Sequence, residues 1–218
     1  MDPPFWHERW QQGQIGFHQP DYHPALLREW SGLGLDSGSR VFVPLCGRSL
    51  DMAWLAQRGH RVVGIELSPI AVEGFFRHES LAPAVSAMGA LSRHAAGPYE
   101  LLCGDFFELT AESLGPVAGW YDRAAVIALP PALRRHYAAH LAALLPSGAR
   151  GILITHDYVQ AEMDGPPFSV TPEEVAELFA ASFTVDLVER KDCLPDNPRF
   201  RERGLSAFHE SIFRMSRR

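Results

Sequence analysis

Glu66 and Gly47 are the pair of residues in this chain whose types and spacing most directly imply chemistry. The stretch that holds them, RVFVPLCGRSLDMAWLAQRGHRVVGIE at residues 40–66, reads as strand, tight turn, helix, strand, closing on an acid. A glycine turn lets backbone come close to a ligand. A carboxylate about 20 residues later, at the end of the next strand, is where a nucleotide-binding sheet holds ribose hydroxyls. Leu45, Asp105 and Arg123 also fall just past apolar runs or at their edges. In an open α/β sheet, the ends of the strands are where a ligand binds. The chemistry implied is recognition of an adenosine-containing cofactor.

The turn at 44–49 narrows which one. It has a single glycine, Gly47, where a dinucleotide fingerprint needs three, so it offers little to a pyrophosphate. S-adenosylmethionine carries no phosphate. It needs an acid for the ribose, which Glu66 supplies, and a polar group near adenine, for which the turn at 103–107 with Asp105 and Phe106 is suited. Its methionine tail needs open backbone, as around Leu45 and Gly47.

The elements that must position these residues alternate. Runs at 40–43, 62–65, 99–103, 121–129 and 151–155 read as strands, with late strands at 183–189 and 209–215. Helical patterns lie at 51–58, at 69–79 behind a Ser68-Pro69 start, at 131–145, and after Thr171-Pro172-Glu173-Glu174, a capping box. Residues 81–97, rich in Ala, Ser and Gly, read as an irregular connection. The pattern is that of a doubly wound α/β domain with a mostly parallel sheet, one domain over 1–218. Residues 1–23 form an aromatic arm in which Trp6 and Trp10 share a helical face. It is either a packing arm or a lid over a ligand.

Composition excludes several classes. Net charge is −6, which disfavours a nucleic-acid surface, although Arg199, Arg201 and Arg203 make a local basic patch. Lys191 is the only lysine, so there is no Walker loop ending in GK and little scope for Schiff-base chemistry. No apolar run approaches a membrane span, and a cytoplasmic, monomeric protein is expected. Three scattered cysteines suggest neither disulfides nor zinc. His136 and His140 have HxxxH spacing but read as a solvated helix face, and His18 and His23 as polar contacts or caps; no metal is expected. Cys46 lacks a His–Asp partner and is not read as a nucleophile.

Several blocks resemble the thiopurine S-methyltransferases, above all the bacterial members. They are FWHERWQQGQIGFHQ near the start, VFVPLCGRSLDMAWLAQRGHRVVGIELS, YDRAAVIALPP, GPPFSV at 165–170 and RFRERG at 199–204, in order over essentially the whole chain. The resemblance implies a class I (Rossmann-like) methyltransferase fold, S-adenosylmethionine as donor, and methyl transfer to the sulfur of thiopurines and related aromatic or heterocyclic thiols. Bacterial relatives are also associated with selenium and tellurium species. By the same resemblance, Trp10 covers the cofactor, Leu45, Gly47 and Glu66 contact it, Asp105 aligns loosely with the adenine turn, and Phe17 lines the acceptor pocket. Arg123 and Arg203 lie near the substrate, Arg123 touching the cofactor as well.

A thiol acceptor reacts as thiolate or thione, so a cation that favours the anion can replace a strong base. Arg123 and Arg203 are the candidates for that role. The rival readings are an Asp122–Arg123 surface ion pair and an exposed basic loop around Arg203. At the level of function they are a halide or aliphatic-thiol methyltransferase of the same fold, or a non-catalytic S-adenosylmethionine-binding protein.

Overall fold

Val41 and Val43 point to one face of the first strand and Phe42 to the other, and all three are buried. A strand apolar on both faces must be covered on both, which is the condition of a central parallel strand. The computed structural model describes residues 3–16 and 18–218. Its strands are β1 (Arg40–Val43), β2 (Arg61–Glu66), β3 (Ala84–Met88), β4 (Leu91–Ala96), β5 (Tyr99–Cys103), β6 (Gly119–Arg123), β7 (Arg150–Asp157), β8 (Phe183–Asp192) and β9 (His209–Arg217). They form one sheet in the order β3-β4-β5-β2-β1-β6-β7-β9-β8.

The strands β5, β2, β1, β6 and β7 are parallel, with Phe42 opposite Val63 on one side and Trp120 on the other. Both sheet edges are antiparallel. The expected doubly wound sheet is therefore present as a parallel core with antiparallel flanks. The chain runs outward from β1 through β2 to β5, then returns to β6 on the other side of β1. This switch of direction opens a crevice beyond the carboxyl ends of β1 and β6.

The helices are α1 (Pro3–Gln11), α2 (Pro24–Glu29), α3 (Asp51–Gln57), α4 (Pro69–His78), α5 (Ala111–Leu114), α6 (Pro131–Leu144), α7 (Pro172–Phe179) and α8 (Pro198–Glu202). On one face Val41, Val43 and Val62 pack with Met52 and Leu55 of α3 and with Val72, Phe75 and Phe76 of α4. On the other, Phe42, Val63 and Trp120 pack with Tyr137 and Leu141 of α6 and Val175 and Phe179 of α7. Among the described residues no helix is long and apolar enough to cross a membrane.

Three sequence expectations change. Residues 81–97 are a β-hairpin, not an irregular connection: β4 pairs with β5 and turns through Gly89, at φ +59°, into the edge strand β3. Four of the five β3 residues are exposed, so the segment carries no apolar alternation to read. The run at 121–129 is two pieces, because Asp122 accepts the N–H groups of Ala125 and Val126 and turns the chain through Ala124 at φ +75°. At Thr171 the capping box is half-built. Its hydroxyl accepts the Glu174 N–H, but the Glu174 carboxylate takes both its bonds from buried Arg134.

Candidate active site

The crevice holds a cavity of about 840 Å³, within the range of small-molecule sites. Trp10, Leu45, Gly47, Glu66, Asp105, Arg123 and Arg203 all line it. Phe17 lies outside the described residues; its neighbours Gly16 and His18 line the same cavity.

At one end, the turn after β1 is held by its neighbour strand. Cys46 N–H donates to the Ile65 carbonyl at 2.9 Å. Glu66 clasps the turn: its Oε2 accepts the Gly47 N–H at 2.9 Å and its Oε1 the Ser68 N–H at 2.8 Å. Ser68 thus stands at the start of α4 with its backbone satisfied by Glu66, and its hydroxyl makes no cap bond. Burial raises the Glu66 pKa, while the N–H bonds from Ser68, Gly47 and Leu67 pull it down. An ionised carboxylate has about four acceptor positions, so hydroxyls of a ligand can still bind it.

Leu45 has φ +46°, a left-handed conformation that costs a non-glycine residue of order 1–3 kcal/mol and gathers at ligand sites. Gly47 has φ +54°, and a Cβ there would meet the Trp10 ring at 3.4 Å. The indole of α1 therefore lies over the glycine turn, with the Arg48 guanidinium 5.9 Å from its centroid. Cys46 is buried beneath. Burial and then the Glu66 charge push its thiol well up, which suits packing rather than nucleophilic attack.

Beyond β5, Asp105 Oδ1 accepts the Phe107 N–H at 2.9 Å and starts a 3₁₀ turn. Phe107 stacks on His136 at 4.3 Å, and His140 Nε2 lies 3.1 Å from the Phe106 carbonyl oxygen. His136 is exposed as expected, but His140 is not on a solvated face. The four-residue spacing lays both rings on the Asp105 turn, and burial lowers the His140 pKa. Among the described residues no group of three or more His, Cys, Asp or Glu could hold a metal.

At the other end Arg123 finishes β6. Its Nε sits 2.9 Å from Asp51 Oδ2 in a close charge contact, and its Nη2 donates to Ser49 Oγ at 3.3 Å. The Asp122–Arg123 ion pair does not form, because neighbouring residues of a strand point to opposite faces. Asp122 is fully buried on the far side, bonded by the Tyr137 hydroxyl at 2.6 Å, and burial pushes its pKa up to about 6 against those bonds. Asp51 is a residue of the candidate site that sequence reasoning missed. Its only signal was an acid in the first turn of a helix, yet it also accepts the Tyr121 hydroxyl and the His23 N–H.

Arg203 follows α8, exposed at the mouth, with Nη1 3.8 Å from Met163 Sδ. Arg199 Nη1 donates to the Gly16 carbonyl at 2.9 Å and ties α8 to the arm. His18 lines the cavity, and burial, then Arg48 and Arg123, lower its pKa. His23 caps α2 through Nδ1, as expected of a polar capping group.

The model of the thiopurine S-methyltransferase (TPMT) family matches residues 1–218. The chain belongs to that family. The thiopurine S-methyltransferase of Pseudomonas fluorescens (strain SBW25) is 48% identical over 215 residues, 99% of each chain. That of Azotobacter vinelandii (strain DJ / ATCC BAA-1303) is 48% identical over 218 residues, the full length of both. Among solved structures, Burkholderia thailandensis 1,6-didemethyltoxoflavin-N1-methyltransferase, with bound 1,6-didemethyltoxoflavin and S-adenosylhomocysteine, superposes with a TM-score of 0.64 at 20% identity. It covers 98% of this chain and 87% of that one. A SAM-dependent methyltransferase from Thiobacillus denitrificans in complex with S-adenosylhomocysteine gives 0.63 at 18% identity, over 97% and 98%. These establish the fold that the family member shares: a class I methyltransferase sheet.

Proposed function

We propose that this enzyme transfers a methyl group from S-adenosylmethionine to the sulfur of thiopurines and related aromatic or heterocyclic thiols. The observation that carries the reading is one cavity with a buried carboxylate clasping a glycine turn at one end and guanidinium groups at the other. The residues fit the donor. Glu66 would take the ribose hydroxyls, Asp105 the adenine edge, and the backbone of Leu45 and Gly47 the methionine tail, with Trp10 of the arm as a lid. When bound, the donor supplies an electrophilic methyl on a cationic sulfur.

The chain's own part is positioning and charge. Holding two reactants in line can contribute roughly 7–11 kcal/mol of a barrier. Asp51 and Ser49 fix the Arg123 guanidinium toward the cavity, and Arg203 adds a second cation at the mouth. Both favour an acceptor sulfur that carries negative charge. Phe200 of α8 stacks on Phe208 at 4.2 Å and both line the cavity, an apolar wall from which a bound acceptor displaces water. The arginine lining of the acceptor end speaks against a halide or small aliphatic thiol as acceptor.

The test is to incubate purified protein with S-adenosylmethionine and 6-mercaptopurine and assay the S-methyl product, with selenols and tellurium species as a further panel. The proposal expects turnover that Glu66→Ala and Arg123→Ala each reduce at least tenfold. Tight binding of the donor without turnover on any acceptor would leave a non-catalytic binding protein.

A further inference from the structure

His23, His156 and Glu210 lie at the cavity wall and have no part in the reaction as described. Glu210 of β9 stands directly across the ladder from His156 of β7, and His23 reaches it from the start of α2. Both imidazoles approach the same oxygen: Oε2 is 3.2 Å from His23 Nε2 and 3.3 Å from His156 Nε2. The ring protons can be assigned from their other contacts. His23 Nδ1 accepts the Ala25 N–H at 3.2 Å, so its proton is on Nε2. His156 Nδ1 is sealed and unpartnered, where a lone pair costs less than an N–H, so its proton is on Nε2 as well.

Neither ring then has an atom free to take a proton from a ligand. Oε2 is occupied by two donors. Glu210 Oε1 has no protein partner among the described residues and is not sealed, so it is left to the cavity. Burial pulls the Glu210 pKa up, but the hydrogen bonds from His156 and His23 outweigh it and hold the group below the usual carboxylate range. Glu210 is therefore a fixed anionic acceptor. It is linked to Arg123 through His23, whose ring meets Glu210 while its backbone N–H donates to Asp51 Oδ1 at 2.8 Å, and Asp51 Oδ2 meets Arg123 at 2.9 Å.

A guanidinium and a carboxylate held in one network match a molecule that places a sulfur beside an N–H. We propose that Glu210 is a specificity-determining residue of the acceptor end, accepting through Oε1 a hydrogen bond from a ring N–H adjacent to the reacting sulfur, so that the site prefers cyclic thioamides to arene thiols. This rests on the S-methylation reading above.

The test is calorimetric. Dissociation constants of 2-thiopyridone, which carries the N–H, of its N-methyl derivative and of thiophenol are measured on the S-adenosylhomocysteine-loaded protein, alongside kcat/KM for each. A hydrogen bond to a charged group predicts that the unmodified protein binds 2-thiopyridone about tenfold or more tightly than the N-methyl form. In Glu210→Ala that ratio is expected to collapse toward one, with Kd for S-adenosylhomocysteine little changed. Glu210→Gln, neutral but equal in shape, carries the comparison if the alanine variant does not fold, and is expected to lower the ratio in part. A ratio near one in the unmodified protein, the same ratio in the variants, or a loss confined to cofactor binding would overturn the assignment. Absence of turnover on all three acceptors would remove the proposed function while the binding ratio still decides Glu210.

Discussion

Asp51→Asn separates a buried charge that positions Arg123 from one that merely starts a helix. Asp51 is 1% exposed and meets the Tyr121 hydroxyl at 3.0 Å, the His23 N–H at 2.8 Å and the Arg123 guanidinium at 2.9 Å. Asparagine keeps the shape and removes the charge, leaving a guanidinium whose side chain is 13% exposed without its counter-ion. Breaking a fully buried pair this way costs roughly 3–5 kcal/mol. Arg123 borders a cavity open to water, which screens the orphaned charge and reduces the expected cost to about 2–3 kcal/mol. At roughly 2–4 °C per kcal/mol for a domain of this size, Tm should fall by about 4–12 °C.

Arg123→Met should cost a similar amount, because Asp51 is then buried without its cation. The double variant removes both charges and should lose less than the sum, with a coupling of about 1–3 kcal/mol. The assay is urea and thermal unfolding of the four proteins, with kcat, KM for an anionic aryl thiol and Kd for S-adenosylhomocysteine. A positioning role also predicts that Asp51→Asn lowers kcat/KM at least tenfold while the cofactor Kd moves little. Single-variant losses that add within about 0.5 kcal/mol would refute the coupling. So would an Asp51→Asn protein with unchanged kcat/KM.

Glu66→Ala should weaken S-adenosylhomocysteine roughly 10- to 150-fold by calorimetry, the range for hydrogen bonds to a charged group; a change under threefold would exclude Glu66 from the cofactor. Gly47→Ala puts a Cβ against Trp10 at a positive φ, which costs roughly 1–2 kcal/mol. It should lower Tm by several degrees and weaken the cofactor, with an unchanged Tm counting against the geometry of the turn. Asp122 has a folded pKa raised from 3.8 to about 6, so the native state holds a proton there that the unfolded chain has lost. Its contribution is fully present below about pH 4 and is lost as pH rises through about 6, in total about 3 kcal/mol. The stability of Asp122→Asn relative to the unmodified protein should therefore rise between pH 4 and 6 in urea titrations, and a pH-independent difference would contradict the burial argument.

The residues that answer to local rules were legible in the sequence. The strands at 40–43, 62–65 and 99–103 are short apolar runs buried on both faces. The turn at Gly47 and the acid at Glu66 follow from the spacing of one strand–helix–strand unit. With them came the crevice, because the order of elements determines where a doubly wound sheet reverses. The hairpin at 81–97 was not legible, since β3 is exposed and exists only by pairing with β4. Nor could periodicity show that Arg123 turns from its neighbour Asp122 to Asp51, because 72 positions separate Arg123 from Asp51 along the chain. The same holds for Glu210, whose partners His23 and His156 lie 187 and 54 residues away. Local propensity and spacing act within a few residues. The partners of a buried charge are chosen by whatever the packed sheet brings within hydrogen-bond reach, and only the tertiary structure decides that.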